Sequence, residues 1–217
     1  MSEMQIQEYF PIPFIVTNIK DLVEEAEIQK IIDLQHDKDN FLNNEQNFTY
    51  KNTYLLTEFL TEDSTFTMAV QSKIDFFIKE IWGQTDANIE ITQSWLNINP
   101  PNGGHHKHVH PNSIISSTVY LQTNDKCGNF CIERPRDYWP NIRHHTDGKK
   151  HNKFTYEYFF FNPKFMDMFI FPSTLTHWVN RNESEENRLS VSLNTFYRNM
   201  TMRVNPNDHY SLTDLKV

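Results

Sequence analysis

The sequence predicts a mainly β protein with N-terminal helices, its core a jelly-roll or double-stranded β-helix barrel. Two observations carry this. Apolar residues recur at helical spacing before residue 89 and at strand-like spacing after it. Five short strand-like runs then follow, with two helices gathered ahead of them.

The elements follow in order. Residues 8–18 (EYFPIPFIVTN) read as a strand, confined to a sheet edge because Pro11 and Pro13 cannot donate to a ladder. Residues 21–35 place Leu22, Ala26, Ile28, Ile31 and Ile32 on an amphipathic helix. Residues 37–51, rich in Asn and Asp, read as a loop. Phe66, Val70, Ile74, Phe77, Ile78 and Ile81 form the stripe of a second helix, with Asp63 or Ser64 as N-cap. Strands are expected at 89–99, 114–122, 128–133, 164–171 and 188–197, the first stopped by the turn Pro100-Pro101-Asn102-Gly103-Gly104.

Composition bounds the function. The 217 residues fit one domain, 1–217, with 1–88 as N-terminal strand and helices and 89–200 as the β core. A net charge of −8 argues against a nucleic-acid partner, because phosphate binding calls for a basic face. No apolar run reaches the ~20 residues of a membrane span, and residues 1–5 do not open a signal peptide. The two cysteines, Cys127 and Cys131, are expected as reduced thiols in a cytoplasmic protein. A homodimer is an open option.

The chemistry concentrates at Gly103-Gly104-His105-His106-Lys107-His108-Val109-His110-Pro111. In an extended chain residues i and i+2 share a face, so His108 with His110, or His106 with His108, can share one metal ion. His105 is expected to face away. His177 follows an apolar strand, and Arg188 and Ser190 lie eleven and thirteen positions beyond it. A dioxygen-activating metal needs about three protein ligands on one face, and a bound 2-oxoacid needs a cationic fork for its far carboxylate. On the last strand Arg188, Ser190, Ser192 and Asn194 share a side, either a solvated outer face or a polar barrel interior.

His177-x10-Arg188-Leu189-Ser190 resembles the second half of the H-x-D…H-x10-R-x-S signature of 2-oxoglutarate- and iron(II)-dependent oxygenases. Trp95-Leu96-Asn97, His108-Val109-His110-Pro111, Ser116-Ser117-Thr118-Val119-Tyr120-Leu121, Phe171-Pro172-Ser173 and Arg188–Asn194 resemble more narrowly a subfamily common in phages and marine bacteria. The resemblance implies a double-stranded β-helix using Fe(II), 2-oxoglutarate and O2. It implies His108 and His177 as metal ligands and Arg188 as partner of the distal carboxylate, helped by Ser190 and Tyr120. The wider superfamily has a carboxylate where this chain has His110. The third ligand is therefore His110, His106, water or a remote acid such as Asp125 or Glu133. Asn97 and Asn194 are expected to line the barrel, and His144, His145, His151 and His209 to be exposed.

Residues 134–161 form a long aromatic connection, either a lid or a loop packed outside. Tyr138, Trp139 and Tyr156 are its candidate substrate contacts. The resulting expectation is a dioxygenase that hydroxylates a peptidyl residue such as proline, or a small molecule, releasing succinate and CO2. The rival is a catalytically silent, cupin-like metal-binding or virion-associated structural protein.

Overall fold

The computed structural model describes residues 11–44, 47–50, 60–61, 63–135, 156–198, 201–205 and 208–211. Strand β1 (Ile15–Asn18) follows the two prolines and lies at a sheet edge. Helix α1 (Glu25–Asp33) buries Ile28 and Ile31, the inward positions of its amphipathic pattern. Helix α2 (Thr65–Phe76) starts at Ser64, whose hydroxyl accepts from Thr67 N–H at 3.0 Å. The Glu27 carboxylate of α1 also accepts from the backbone N–H groups of Thr65 and Phe66, placing negative charge at the positive end of α2. Beyond Phe76 the helix widens into one π turn, Phe77–Ile81.

Residues 37–51 are not the expected loop. They contain strands β2 (Phe41–Asn44) and β3 (Asn47–Tyr50), a hairpin added to the long strand β4 (Ile89–Asn99) through Phe48–Ile98 and Thr49–Asn97 pairs. Asn-rich segments have low intrinsic strand preference, and pairing with a distant neighbour overrides it here.

After β4 come β5 (His105–His108), β6 (Ile115–Gln122), β7 (Phe130–Glu133) and β8 (Tyr158–Phe161). Then follow β9 (Asp167–Pro172), β10 (His177–Val179), β11 (Arg188–Tyr197), β12 (Thr201–Asn205) and β13 (Asp208–Ser211). β8 corrects the reading of 134–161 as one long connection, since its end is a strand paired with β7. The β core also reaches back before residue 89, because β1, β2 and β3 join it. The large antiparallel sheet runs β1-β9-β6-β11-β4-β3-β2, and the smaller one runs β5-β10-β7-β8. β12 and β13 pair as a separate hairpin.

The period-2 pattern of β11 decides what each face meets. Leu189, Val191 and Leu193 pack with Ile31, Phe66, Val70 and Ile74 in the core between sheet and helices. Truncating one of these leucines to Ala would cost about 2–5 kcal/mol. Arg188 and Ser190 on the opposite face are also buried, so this face is the polar barrel interior and not a solvated exterior. A second cluster of Tyr120, Phe130, Phe169, Phe171 and Leu175, with Phe14 stacked on Phe161 at 4.6 Å, fills the rest of the interior.

Candidate functional site

A cleft of about 480 Å³, part of it open to solvent, lies in the barrel interior. Its lining includes His105, His108, His110 and His177 together with Tyr120, Arg188, Ser190, Asn97 and Asn99. β10 sits between β5 and β7, and His177 stands directly opposite His108 in the first pair. His110 lies just past β5, where its backbone N–H donates to the Ser173 carbonyl at 3.0 Å.

One ligand atom from each of His108, His110 and His177 lies within 4.8 Å of the others. Nδ1 of His177 donates to the Leu175 carbonyl at 2.9 Å, and Nδ1 of His108 to the His106 carbonyl at 2.8 Å. In the neutral rings each Nε2 is therefore a free lone pair. Burial favours these neutral forms. It pushes His177 down to about 2 and His110 down to about 4, and it lowers His108 as well. Two nitrogens about 2.1 Å from one ion, at an angle between square and tetrahedral, lie about 3.0–3.4 Å apart. The Nε2 atoms of His110 and His177 are 3.2 Å apart. The donor set fits a first-row divalent metal.

His105 departs from expectation. Between the His177–His108 and Val179–His105 pairs, β10 advances two residues while β5 advances three. This bulge breaks the alternation, so His105 does not face away but turns into the cleft, its ring 4.3 Å from that of His108. Burial lowers it to about 4. His106 is exposed and does not line the cleft. Among the described residues neither remote acid joins the three histidines, and the Glu133 carboxylate pairs with Lys107 at 3.1 Å.

Arg188 is 1% exposed. Its Nη2 donates to Asn99 Oδ1 at 2.7 Å, and Nη1 makes only long contacts of 3.4 Å to the carbonyls of Cys127 and Gly128. Its Nε has no partner, and no carboxylate among the described residues pairs with it. The guanidinium lies 5.7 Å from the centre of the Tyr120 ring. A buried cation without a counter-charge is costly, and burial presses Arg188 toward its neutral form. The arrangement calls for an anion.

Ser190 pairs in register with Asn97 on one side and Tyr120 on the other, so the three share this floor. Asn97 lines the cleft as expected. Asn194 instead joins a buried network, accepting from Ser116 and donating to Gln93. Asn99, which grips Arg188, had not been singled out in the sequence. Its side-chain parity with Asn97 is the signal that could have found it. Tyr138, Trp139, His144, His145 and His151 lie outside the described residues, and no side-chain placement is described for His209. Tyr156 is 42% exposed, packs on Phe159 and does not line the cleft.

Comparison with known proteins bears on the fold and on the segment that carries these residues. Residues 93–194 match the family described as "Putative 2OG-Fe(II) oxygenase". No curated protein matches the chain. A 2OG-Fe(II) oxygenase family oxidoreductase from Burkholderia pseudomallei is similar at 13% identity over 84% of this chain and 83% of that one, TM-score 0.56. HygX from Streptomyces hygroscopicus, solved with nickel, 2-oxoglutarate and hygromycin B bound, is 10% identical over 85% and 82%, TM-score 0.54. A prolyl hydroxylase from Trichoplax adhaerens, in complex with a hypoxia-inducible-factor degradation-domain peptide, is 16% identical over 84% and 83%, TM-score 0.53. At these identities the likeness establishes the double-stranded β-helix. The segment 93–194, which contains His108, His110, His177 and Arg188, matches the model of the 2OG-Fe(II) oxygenase family, oxidoreductases that use iron(II), 2-oxoglutarate and dioxygen.

Proposed function

We propose that this chain is a single-domain 2-oxoglutarate-dependent dioxygenase whose metal is held by His108, His110 and His177. Arg188, with Ser190 and Tyr120 beside it, is the seat for the far carboxylate of 2-oxoglutarate. The unpaired buried guanidinium is the observation that carries this reading. A silent metal holder has no use for a buried cation that costs stability, whereas a dicarboxylate spanning the cleft would complete it.

The chain's own residues have distinct tasks. The carbonyls of Leu175 and His106 fix the tautomers of His177 and His108, so both rings present Nε2. Asn99 orients the guanidinium fork, and the aromatic cluster of Phe130 and Phe171 around His177 limits water. A neutral histidine at position 110 leaves the full +2 charge of iron to attract an anionic cosubstrate. Iron bound there supplies the redox chemistry that couples oxidative decarboxylation of 2-oxoglutarate, giving succinate and CO2, to substrate oxidation.

The substrate is a peptidyl residue such as proline, or a small molecule, and the reaction is hydroxylation of a C–H bond. Both substrate classes have support, from the peptide in the Trichoplax enzyme and from hygromycin B in HygX. The buried unpaired thiols Cys127 and Cys131 fit a reducing, cytoplasmic setting. Among the described residues no helix is long and apolar enough to cross a membrane. The test is anaerobic addition of iron(II) and 2-oxoglutarate, with a weak visible charge-transfer band expected, then succinate on admitting oxygen. Fully metallated protein that gives neither signal would overturn the assignment.

A further inference from the structure

Among the described residues two three-histidine groups occur, and they share one residue. Beside His108, His110 and His177 stand His105, His106 and His108, again with one ligand atom from each within 4.8 Å of the others. Ring centroids are 4.6 Å apart for His105 and His106, 4.3 Å for His105 and His108, and 5.6 Å for His106 and His108. A regular strand would send His105 and His106 to opposite faces. The β5 bulge gathers all three rings instead.

The two groups form a gradient from solvent inward. His106 is exposed, His105 and His108 are half-buried, and His177 is 3% exposed. The competing charge is also drawn away. Lys107 stretches across the rings of Tyr158 and Trp178, 4.6 Å from each centroid, and pairs with Glu133.

We propose that His105, His106 and His108 form a second, outer metal site that captures a divalent first-row metal ion and passes it inward through His108. This rests on the inner triad being the resident metal site. An ion at the outer site keeps part of its hydration shell, so capture does not require full desolvation in one step. Transfer keeps one bond, to His108, while His105 and His106 are exchanged for His110 and His177. Each exchange replaces one neutral imidazole with another, so the charge of the complex does not change. Because His108 is common, the two sites are filled alternately and not together.

The probe is nickel(II), followed by calorimetry and stopped-flow spectroscopy on the full-length metal-free protein. Wild type is expected to bind one equivalent tightly. His177→Ala is expected to bind one equivalent with affinity reduced by about 100-fold or more, and His106→Ala/His177→Ala to lose that residual binding. His106→Ala alone is expected to match wild-type equilibrium affinity within about threefold while loading at least about tenfold more slowly. Unchanged loading in His106→Ala, or residual binding in His177→Ala that survives loss of His106, would overturn the outer site. If His177→Ala leaves tight binding intact, it is the inner assignment that fails, a separate outcome. Circular dichroism of each variant verifies that the fold is retained, and His106→Gln should load as slowly as His106→Ala.

Discussion

His108 faces His177 across the β5–β10 pair, their ring centroids 4.2 Å apart, although 69 positions separate them in the chain. The pairing of two short strands thus creates the centre of the site. His177→Ala and His108→Ala should each lower nickel or iron affinity by about 100-fold or more, since each removes one of the three proposed protein ligands. Calorimetric titration of metal-free protein checks this. Equal affinity in either variant would exclude that ring from the inner site.

Arg188 is predicted to trade stability for binding. Its charge is buried, and among the described residues its Nε lacks a partner and its only short hydrogen bond is to Asn99. Arg188→Met should therefore raise the thermal midpoint of the ligand-free protein, because an uncompensated buried charge is replaced by apolar volume. The same variant should bind 2-oxoglutarate about 10–150-fold more weakly, the loss expected for charge-assisted hydrogen bonds worth about 1.5–3 kcal/mol. Metal affinity should be unaffected. A lower midpoint together with intact 2-oxoglutarate binding would mean that Arg188 is structural.

The spacing of His177, Arg188 and Ser190 was legible in the sequence because one short connection between β10 and β11 sets it. The strand boundaries of β4 and β11 were legible too, since a clean change of period and strong turn residues mark them. The face of Arg188 was not. Alternation separates two faces of a strand but does not say which one meets solvent, and only the sheet opposite decides it. His105 was misread for a related reason. A bulge shifts parity by one residue, and nothing local in His105-His106-Lys107-His108 announces it. The hairpin at 41–50 was missed because its ladder to β4 is a long-range contact.

Gly128 has φ +84°, and a Cβ there would run into the carbonyls of Asn180 and Arg181. Both strain and overlap oppose any other residue, and the Gly128 carbonyl also lies against the Arg188 fork. Gly128→Ala should destabilise by about 1–3 kcal/mol and weaken 2-oxoglutarate binding alongside. Urea unfolding and a 2-oxoglutarate titration on the same sample measure both. Unchanged unfolding would show that the turn relaxes freely.

Ser117 makes the opposite case. It pairs in register with Leu193 and Ile170, both members of the helix-side core, and its buried Oγ has no hydrogen-bond partner among the described residues. Removing the hydroxyl removes a desolvation cost and leaves almost no cavity. Ser117→Ala should be neutral to about 1 kcal/mol stabilising, with metal and 2-oxoglutarate affinities unchanged. A loss of more than about 1 kcal/mol would mean that the hydroxyl is satisfied in solution, by a buried water for instance.

The metal-free protein should lose stability as pH falls below neutrality. In the unfolded chain histidines protonate near pH 6.5. In the fold, burial holds His105 and His110 down to about 4 and His177 down to about 2. Between about pH 6.5 and 4 the unfolded chain therefore takes up protons that the folded chain refuses, and the equilibrium shifts toward unfolding. Stability should be flat from pH 7 to 8 and fall steadily from pH 6.5 to 4.5. Urea midpoints across that range test it, with His177→Phe as the control. Phe fits the aromatic surroundings of Phe130 and Phe171 and cannot titrate, so its slope should be shallower. An identical slope would mean that His177 accepts a proton in the folded state, and its ring would then not be held neutral for a metal.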